Sequence, residues 1–323
     1  MKLSDASALV EGALREIELP AGELNGLYEP ISYGMNAGGK RLRPGLLLMT
    51  AEAFGGDKAT DGAMPAAVGM EMFHNFTLLH DDVMDNSAMR RNRPTVQAKW
   101  DVNTAILSGD TMLTLATQKM MTVHDALLRE VLDIFNAMAI KVYEGQRLDM
   151  DFETRNDVTT KDYLEMIGAK TGALLGASAR IGALLGGADS KAAAQMERFG
   201  YLLGLAFQIQ DDWLDVYGDS TTFGKPIGGD INNGKKSFLL LTALESGTPE
   251  ATALKAAMEM APGDTKIKTV TRIYDKLNLN EKVRKAVSHY SSEALTALKK
   301  SGLGEEAREP FRALIDKLTG RKR

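Results

Sequence analysis

Two acidic motifs of the same form are the residues most suited to chemistry in this sequence. DDVMD spans residues 81–85 and DDWLD spans residues 211–215, and each follows a run of apolar residues. A spacing of four residues places the first and last aspartate of each motif on one face of a helix, where their charges repel each other. A solvated acidic surface would tolerate one such cluster, but it explains the repeat poorly. The pair therefore indicates a site at which cations neutralise the carboxylates.

The ligand atoms of both motifs are carboxylate oxygens, which favour Mg²⁺ over softer metals. Mg²⁺ keeps several water ligands and commonly joins protein carboxylates to the phosphate groups of a substrate. A calcium-binding EF-hand is a poor alternative, because neither motif has the alternating acids, the glycine and the terminal glutamate of that loop. Two facing acidic helices therefore predict a metal-bound phosphate or diphosphate.

Basic residues are the natural complement of such a ligand. Residues 38–44 read GGKRLRP, and a glycine turn with lysine and arginine at a helix N-terminus is typical of a phosphate site. Three arginines follow the first acidic motif, where they are placed to neutralise a diphosphate leaving group: Arg90, Arg91 and Arg93. The other candidates are isolated residues: His74, Lys170, Lys225 and Lys235. Each basic feature alone would also describe a solvated surface, so its weight comes from the acidic motifs.

Helices must position these residues. Ala, Leu, Met, Glu and Lys dominate most segments, aromatic residues make up only 6%, and apolar residues recur at helical spacing without a strand-like alternation. The breaks are short, so we predict an all-α fold in which residues 1–323 form one domain. GALLG occurs at residues 172–176 and again at 182–186, and its small residues predict closely packed helices. The longest break, residues 218–234, is expected to close over the site and exclude water.

The composition excludes several classes of function. The 39 Lys and Arg residues against 43 Asp and Glu give a net charge of −4, which provides no overall basic field for nucleic acid. The chain has no cysteine, so disulfides and thiolate metal sites are excluded and a reducing cytoplasm is the expected location. The N-terminus lacks the apolar core of a signal peptide, and the most apolar stretch, residues 171–187, contains Arg180. We therefore expect neither a nucleic-acid partner nor stable membrane insertion.

Taken in order along the chain, these motifs resemble those of the trans-isoprenyl diphosphate synthases, the polyprenyl synthetase family. The matching segments between residues 38 and 235 are GGKRLRP, HNFTLLHDDVMD followed by RRNRPT, the pair Lys170 and Thr171, FQIQDDWLD, and two later lysines. The resemblance implies an all-helical bundle around a deep central cavity, usually in a homodimer. It also implies head-to-tail condensation of isopentenyl diphosphate with an allylic diphosphate: dimethylallyl, geranyl or, for the longer product, farnesyl diphosphate.

The resemblance also assigns roles to individual residues. It implies three Mg²⁺ ions bound by Asp81, Asp85 and Asp211, and further catalytic residues Asp82, Asp212, Asp215 and Lys170. It implies that the allylic diphosphate is held by Arg90, Lys170, Thr171, Gln208, Lys225 and Lys235. It implies that isopentenyl diphosphate is held by Lys40, Arg43, His74 and Arg91. Ionisation of the allylic diphosphate then gives a cation that the second substrate attacks, and the departing diphosphate removes the final proton.

Residues before the first acidic motif bear on the length of the product. Phe76 and Phe73 precede Asp81 by five and eight residues, about 7.5 and 12 Å along a helix at 1.5 Å per residue. In the family, an aromatic ring at the first of these positions resembles the short-chain enzymes, which implies fifteen or twenty carbons. Thr77 departs from one farnesyl-type pattern, which has a second aromatic residue there. The added bulk of Phe73 favours farnesyl diphosphate slightly over geranylgeranyl diphosphate, although either ring could be plain core.

Two other functions fit parts of the pattern. A class I terpene cyclase shares the fold and the first acidic motif, but the only approach to its NDxxSxxxE motif is out of register: Asn156, Asp157, Thr160 and Glu165. A non-catalytic subunit of a prenyl synthase would be expected to have lost part of an acidic motif, and both motifs are complete here. A Mg²⁺-dependent short-chain prenyltransferase is therefore the favoured interpretation.

Overall fold

The computed structural model describes residues 1–218 and 227–320, and helices make up nearly all of its regular structure. In chain order the helices are α1 (Leu3–Arg15), α2 (Asn25–Met35), α3 (Leu42–Met84), α4 (Val96–Lys99), α5 (Val102–Met120), α6 (Asp125–Thr154), α7 (Thr160–Ile167), α8 (Ala173–Leu185), α9 (Ser190–Tyr217), α10 (Gly229–Asn232), α11 (Phe238–Leu244), α12 (Pro249–Met258), α13 (Asp264–Lys276), α14 (Leu279–Lys300) and α15 (Glu305–Thr319). A five-residue π-helical turn, Gly168–Gly172, connects α7 to α8. An antiparallel hairpin of two-residue strands, β1 (Met89–Arg90) and β2 (Arg93–Pro94), follows α3. The predicted all-α fold is confirmed.

The chain divides into two compact units. Unit 1 contains Met1–Ala137 and Ala177–Glu197, and unit 2 contains Met138–Gly176 and Arg198–Arg323. The first acidic motif belongs to unit 1 and the second to unit 2. Among the described helices, none has the length and apolar character needed to cross a membrane. That residues 1–323 form one domain stays a prediction.

The long helix α3 is the centre of unit 1 and carries the first acidic motif at its C-terminal end. Its residues Leu46, Leu47 and Leu48 are fully buried, and it packs against α1 and α5. Gly56 interrupts it with φ of 71° and ψ of −162°, so the helix is kinked there. Leu79 and Asp82 are buried near the C-terminal end of α3, so packing helps to position the first acidic motif.

The two GALLG segments are sites of close helix packing, as predicted. In unit 1, a Cβ on Gly186 would lie 2.7 Å from the carbonyl oxygen of Ala51. A Cβ on Gly182 would overlap the carbonyl oxygen of Leu47. In unit 2, a Cβ on Gly204 would lie 2.8 Å from the Cα atom of Gly172. These distances are shorter than any normal carbon contact, so the glycines are required by packing.

Candidate active site

The first acidic motif is bridged by Arg90. Its Nε atom donates to Asp82 Oδ1 at 2.7 Å and its Nη2 atom donates to Asp81 Oδ2 at 3.1 Å. Burial raises the pKa of Asp82 above its usual value, and Arg90 opposes that shift. Asp85 is exposed and caps the C-terminus of α3, where the negative end of the helix dipole adds to the carboxylate charge. The structure thus brings Arg90 to the aspartates, at a place that attracts cations.

The hairpin after α3 carries Arg91 onto the glycine turn that precedes the same helix. Arg91 and its neighbour Asn92 have positive φ values of 52° and 60°. Arg91 Nη1 donates to the carbonyl oxygen of Gly38, and a Cβ on Gly39 would lie 3.0 Å from that nitrogen. The two glycines have φ values of 77° and 143°, which favour residues without a Cβ. The glycine turn of segment 38–44 and the arginine-rich segment 90–95 are therefore in contact.

Arg43 and His74 extend this positive region. Desolvation lowers the pKa of His74 well below its usual value, and Arg43 and Arg91 lower it further. The imidazole is therefore neutral near pH 7, and its Nε2 atom accepts a hydrogen bond from Arg43 Nη1 at 3.1 Å. The set of Lys40, Arg43, His74 and Arg91 is called the basic cluster below. Arg43 and Arg91 beside a neutral histidine, with Lys40 on the glycine turn that Arg91 contacts, form a site suited to a polyvalent anion.

A buried ion pair lies beside the basic cluster, and sequence reasoning missed it. Arg41 Nη1 lies 2.5 Å from Glu71 Oε1, and Nη2 of the same guanidinium donates to the carbonyl oxygen of Met35 at 2.8 Å. Asn75 Nδ2 also donates to Glu71 Oε1, at 3.0 Å. The clue in the sequence was a glutamate inside an apolar stretch of α3, because a buried carboxylate requires a partner.

The second acidic motif ends helix α9 in unit 2, and its middle aspartate faces inward. Asp212 Oδ2 accepts hydrogen bonds from the Tyr163 hydroxyl at 2.6 Å and from the backbone N–H of Phe238 at 2.8 Å. Gln208 Nε2 reaches the other carboxylate oxygen at 3.4 Å. Burial raises the pKa of Asp212 to about 6. Asp211 is partly exposed, so the two adjacent aspartates have different surroundings.

Asp215 is buried and lies beside Asp230, an acidic residue outside both acidic motifs. Asp215 Oδ2 accepts a hydrogen bond from the backbone N–H of Asp230 at 3.0 Å, and burial together with the Asp230 carboxylate raises the pKa of Asp215 to about 6. Lys235 Nζ lies 3.7 Å from Asp230 Oδ1. Desolvation alone would lower the pKa of Lys235, but Asp230 and Asp212 raise it above its usual value, so the ammonium stays charged. Lys225 lies outside the described residues, as do residues 219–226 of the predicted closing segment.

The π-helical turn presents Lys170 and Thr171. Lys170 Nζ donates to Asp149 Oδ2 at 2.6 Å, and Thr171 Oγ1 donates to Gln208 Oε1 at 3.5 Å. Asp149, on α6, is a second carboxylate that sequence reasoning missed. No spacing pattern marks it, because its partner is 21 residues away on another helix.

Aromatic rings below the first acidic motif form a stack in unit 1. The ring of Phe76 lies 5.6 Å from that of Phe73, which in turn lies 5.3 Å from Phe135 in an edge-on contact. All three rings are buried. The hydroxyl of Thr77 donates to the carbonyl oxygen of His74 at 2.8 Å, so it is turned to its own helix.

Within residues 1–218 and 227–320, no group of three or more His, Asp or Glu side chains could hold a metal ion by itself. The donor atoms nevertheless fit Mg²⁺, which takes few protein carboxylates and completes its shell with water and substrate phosphate. Burial raises the pKa of Asp212 and of Asp215, and the nearby Asp230 carboxylate raises both further, so several acidic groups lie close together at the second motif. The second motif is therefore suited to a divalent cation.

The comparison with known families decides what this combination of sites is. A family model described as polyprenyl synthetase matches residues 25–277, most of the chain. The chain belongs to the polyprenyl synthetase family. Its sequence is 39% identical to the geranylgeranyl diphosphate synthase of Methanosarcina mazei over 272 residues, which cover 84% of this chain and 83% of that protein.

Solved structures of polyprenyl synthetases match over the whole chain. A crystal structure of a geranylgeranyl pyrophosphate synthase has a TM-score of 0.94 and 38% identity, and covers 100% of both chains. A geranylgeranyl pyrophosphate synthase from Corynebacterium glutamicum, crystallised with isoprenyl diphosphate and magnesium, has a TM-score of 0.83 and 26% identity over 99% of this chain and 96% of that one. This polyprenyl synthetase is a short-chain trans-prenyltransferase of an Mg²⁺-dependent family.

Proposed function

We propose that this prenyltransferase condenses isopentenyl diphosphate with dimethylallyl, geranyl and farnesyl diphosphate and releases geranylgeranyl diphosphate as its main product. One observation carries the proposal: the acidic motif bridged by Arg90 and the basic cluster belong to the same unit but differ in chemistry. The first suits a diphosphate bound through metal ions, and the second suits a diphosphate bound directly by cations. An enzyme that joins two diphosphates needs both, whereas a cyclase needs only the first.

The allylic diphosphate is assigned to the acidic motifs and the cations near them. We propose that three Mg²⁺ ions are bound by Asp81, Asp85 and Asp211, with Asp82 and Asp215 supporting those ligands. The residues proposed to contact the allylic diphosphate itself are Arg90, Lys170, Thr171, Gln208, Lys225 and Lys235. Isopentenyl diphosphate is assigned to the basic cluster. The inward direction of the Asp212 carboxylate favours a supporting role for that residue, holding Tyr163 and the start of α11.

The chain's own side chains have separable tasks in the reaction. When bound, Mg²⁺ supplies Lewis-acid charge that makes diphosphate a better leaving group. Arg90 shares that task at the first motif, and Lys235 keeps its proton because the surrounding carboxylates raise its pKa. Arg43, steered by the neutral imidazole of His74, holds the second substrate while its double bond attacks the allylic carbon. The departing diphosphate then accepts the proton that completes the new double bond, so no protein nucleophile is required.

The proposed product length is supported by the aromatic stack and by the relatives. Phe76 and Phe73 obstruct the side of α3 below the first motif, so a chain growing in that direction meets two successive rings. The relatives named above are geranylgeranyl diphosphate synthases. We therefore favour twenty carbons over the fifteen that the sequence slightly favoured.

We also propose that the protein is a homodimer of single-domain chains that acts in the cytoplasm. Helix α5 has three large apolar side chains with 38% to 59% of their surface exposed: Val102, Ile106 and Leu107. An exposed apolar helix face of this kind is typical of a subunit interface. Light scattering coupled to gel filtration tests it, and Leu107→Lys should reduce the measured mass from that of two chains to about half.

A product assay tests the proposed reaction. Purified protein is incubated with Mg²⁺, labelled isopentenyl diphosphate and each of the three allylic diphosphates, and the dephosphorylated alcohols are separated by chromatography. Twenty-carbon alcohol from every starter is the expected result. No incorporation of label, together with cyclic hydrocarbon from an allylic diphosphate alone, would refute the synthase and support a cyclase. Fifteen-carbon alcohol with no further elongation would refute the proposed product length only.

A further inference from the structure

Helix α1 touches the glycine turn of the basic cluster at two adjacent residues. Ser7 Oγ donates to the carbonyl oxygen of Lys40 at 3.1 Å, and Glu11 Oε1 accepts a hydrogen bond from Arg41 Nε at 2.6 Å. Ser7 and Glu11 are four residues apart, so both face the turn from one side of the helix. The family model begins at residue 25, so α1 lies outside the matched segment.

The turn at residues 38–41 has little conformational restriction of its own, so it needs support from outside. Gly38 and Gly39 have no Cβ to restrict them, and both adopt positive φ values. Arg41 has a φ of 46°, a left-handed conformation that residues with a side chain rarely adopt without compensation. Contacts from outside the turn must therefore hold Lys40 where it is.

The Arg41 side chain links this turn to the core, and Glu11 completes its set of partners. The side chain is only 2% exposed, and its guanidinium contacts the buried carboxylate of Glu71 and the carbonyl oxygen of Met35. Glu11 is 33% exposed and is the partner of the remaining Nε atom. Removing the charge of Glu11 would therefore leave Arg41 neutralised by Glu71, and the fold should survive the change.

Helix α1 is itself anchored, so it can act as a fixed support. Leu3 packs against Gly45 so closely that a Cβ there would lie 2.6 Å from Leu3 Cδ1. The N-terminal ammonium of Met1 lies 2.8 Å from Glu52 Oε2. Val10 and Leu14 are buried on the same helix. The helix cannot slide along α3 without breaking these contacts.

We propose that α1 is a positioning element for the isopentenyl diphosphate site, with Ser7 and Glu11 as the positioning residues. They act through Lys40 and Arg41 and do not touch the substrate. The inference rests on the assignment of the basic cluster to isopentenyl diphosphate. Helix α1, which the family model does not cover, would then help to determine the affinity for isopentenyl diphosphate.

The test is a steady-state comparison of variants with both substrates varied in turn. Ser7→Ala combined with Glu11→Gln should raise KM for isopentenyl diphosphate roughly fivefold to tenfold, since small displacements of binding groups are costly. KM for the allylic diphosphate, kcat and the melting temperature should stay near wild-type values. Ser7→Thr, which keeps the hydroxyl, should restore part of the affinity in the Glu11→Gln background.

Two further variants separate the possible failures. The matched control is Ser4→Ala combined with Glu16→Gln: Ser4 donates to Asp5, and Glu16 caps the far end of α1. Lys40→Ala tests the site itself, and it should raise KM for isopentenyl diphosphate alone. If Lys40→Ala does so but the Ser7 and Glu11 variant does not, the positioning role is refuted. If the Ser7 and Glu11 variant has a lower kcat, a lower affinity for both substrates and a lower melting temperature, the role of α1 is merely structural. If Lys40→Ala leaves KM for isopentenyl diphosphate unchanged, the assignment of the basic cluster fails first.

Discussion

Truncation of Phe76 to alanine should lengthen the product by about one five-carbon unit. Phe76 and Phe73 lie three residues apart on α3, so removal of the upper ring moves the obstruction about 4.5 Å further from Asp81 at 1.5 Å per residue. One prenyl unit adds four bonds along the chain, about 5 Å if three bonds span 3.8 Å as in an extended backbone. The gain in depth therefore matches one unit and not two. The main product should shift from twenty to twenty-five carbons.

The lower ring should stay in place in this variant. Phe73 is fully buried and packs edge-on against Phe135 at 5.3 Å, so it does not depend on Phe76 alone. The variant loses the contacts of the Phe76 ring with Phe73 and with His80, 4.7 Å away. A cost of up to about 3–5 kcal/mol in unfolding free energy is typical of such a truncation. Circular dichroism and thermal melting establish that the variant is folded before products are compared.

The assay is chromatography of the dephosphorylated alcohols made from farnesyl diphosphate and labelled isopentenyl diphosphate. Thr77→Ala is the matched control on the next residue, because the Thr77 hydroxyl bonds to its own helix and the change should leave product length unaltered. An unchanged twenty-carbon product from folded Phe76→Ala would refute the obstruction. Equal lengthening by Thr77→Ala would show that general loosening of α3, and not ring removal, sets the length.

Three other changes test separate parts of the reasoning. Gly182→Ala should lower the unfolding free energy in urea by about 1–3 kcal/mol, because its Cβ meets the Leu47 carbonyl, whereas Gly12→Ala, with open space around it, should not. His74 is neutral in the folded state, so below pH 6.5 the unfolded chain binds one proton more than the folded chain does. The unfolding free energy should therefore fall by up to about 1.4 kcal/mol for each pH unit below that value. Urea denaturation at pH 7.5 and 5.5 measures this pH dependence, which His74→Gln should remove. The same pH dependence in the wild type and in the variant would contradict the prediction. Asp211→Asn should lower kcat/KM about 100-fold at an unchanged melting temperature, while Asp212→Asn should lower the melting temperature, since its carboxylate holds buried donors. The reverse pattern would refute the different roles of these two aspartates.

Local spacing predicted those parts of the site that are close in sequence. Arg90 reaches Asp81 and Asp82 because a short hairpin returns the chain to the end of α3. Seven residues on a helix are about two turns, so His74 and Asp81 share a face of α3. The same periodicity explains why Asp212 differs from Asp211, because adjacent residues on a helix point about 100° apart.

Partners that are distant in sequence could not be predicted from spacing. Glu71, Asp149 and Asp230 are single carboxylates without a repeating pattern, and each acquires its role from a cation that lies outside its own helix. Burial decides their importance, and burial depends on the packing of the whole unit. An acidic residue within an apolar stretch was the one hint available, and it applied to Glu71 alone.

The π-helical turn at Gly168–Gly172 has a consequence for insertions and deletions. Such a turn holds one residue more than an α-helical turn, so it is equivalent to a single-residue insertion in a regular helix. Deleting Ala169 would restore α-helical winding, and α8 would keep nearly its present orientation because the wide turn had absorbed the extra residue. The wide turn that presents Lys170 Nζ to Asp149 would be lost, although every side chain of the motif would still be present. At this turn the number of residues, and not only their identity, is under constraint, and a variant of normal composition but altered length would be inactive.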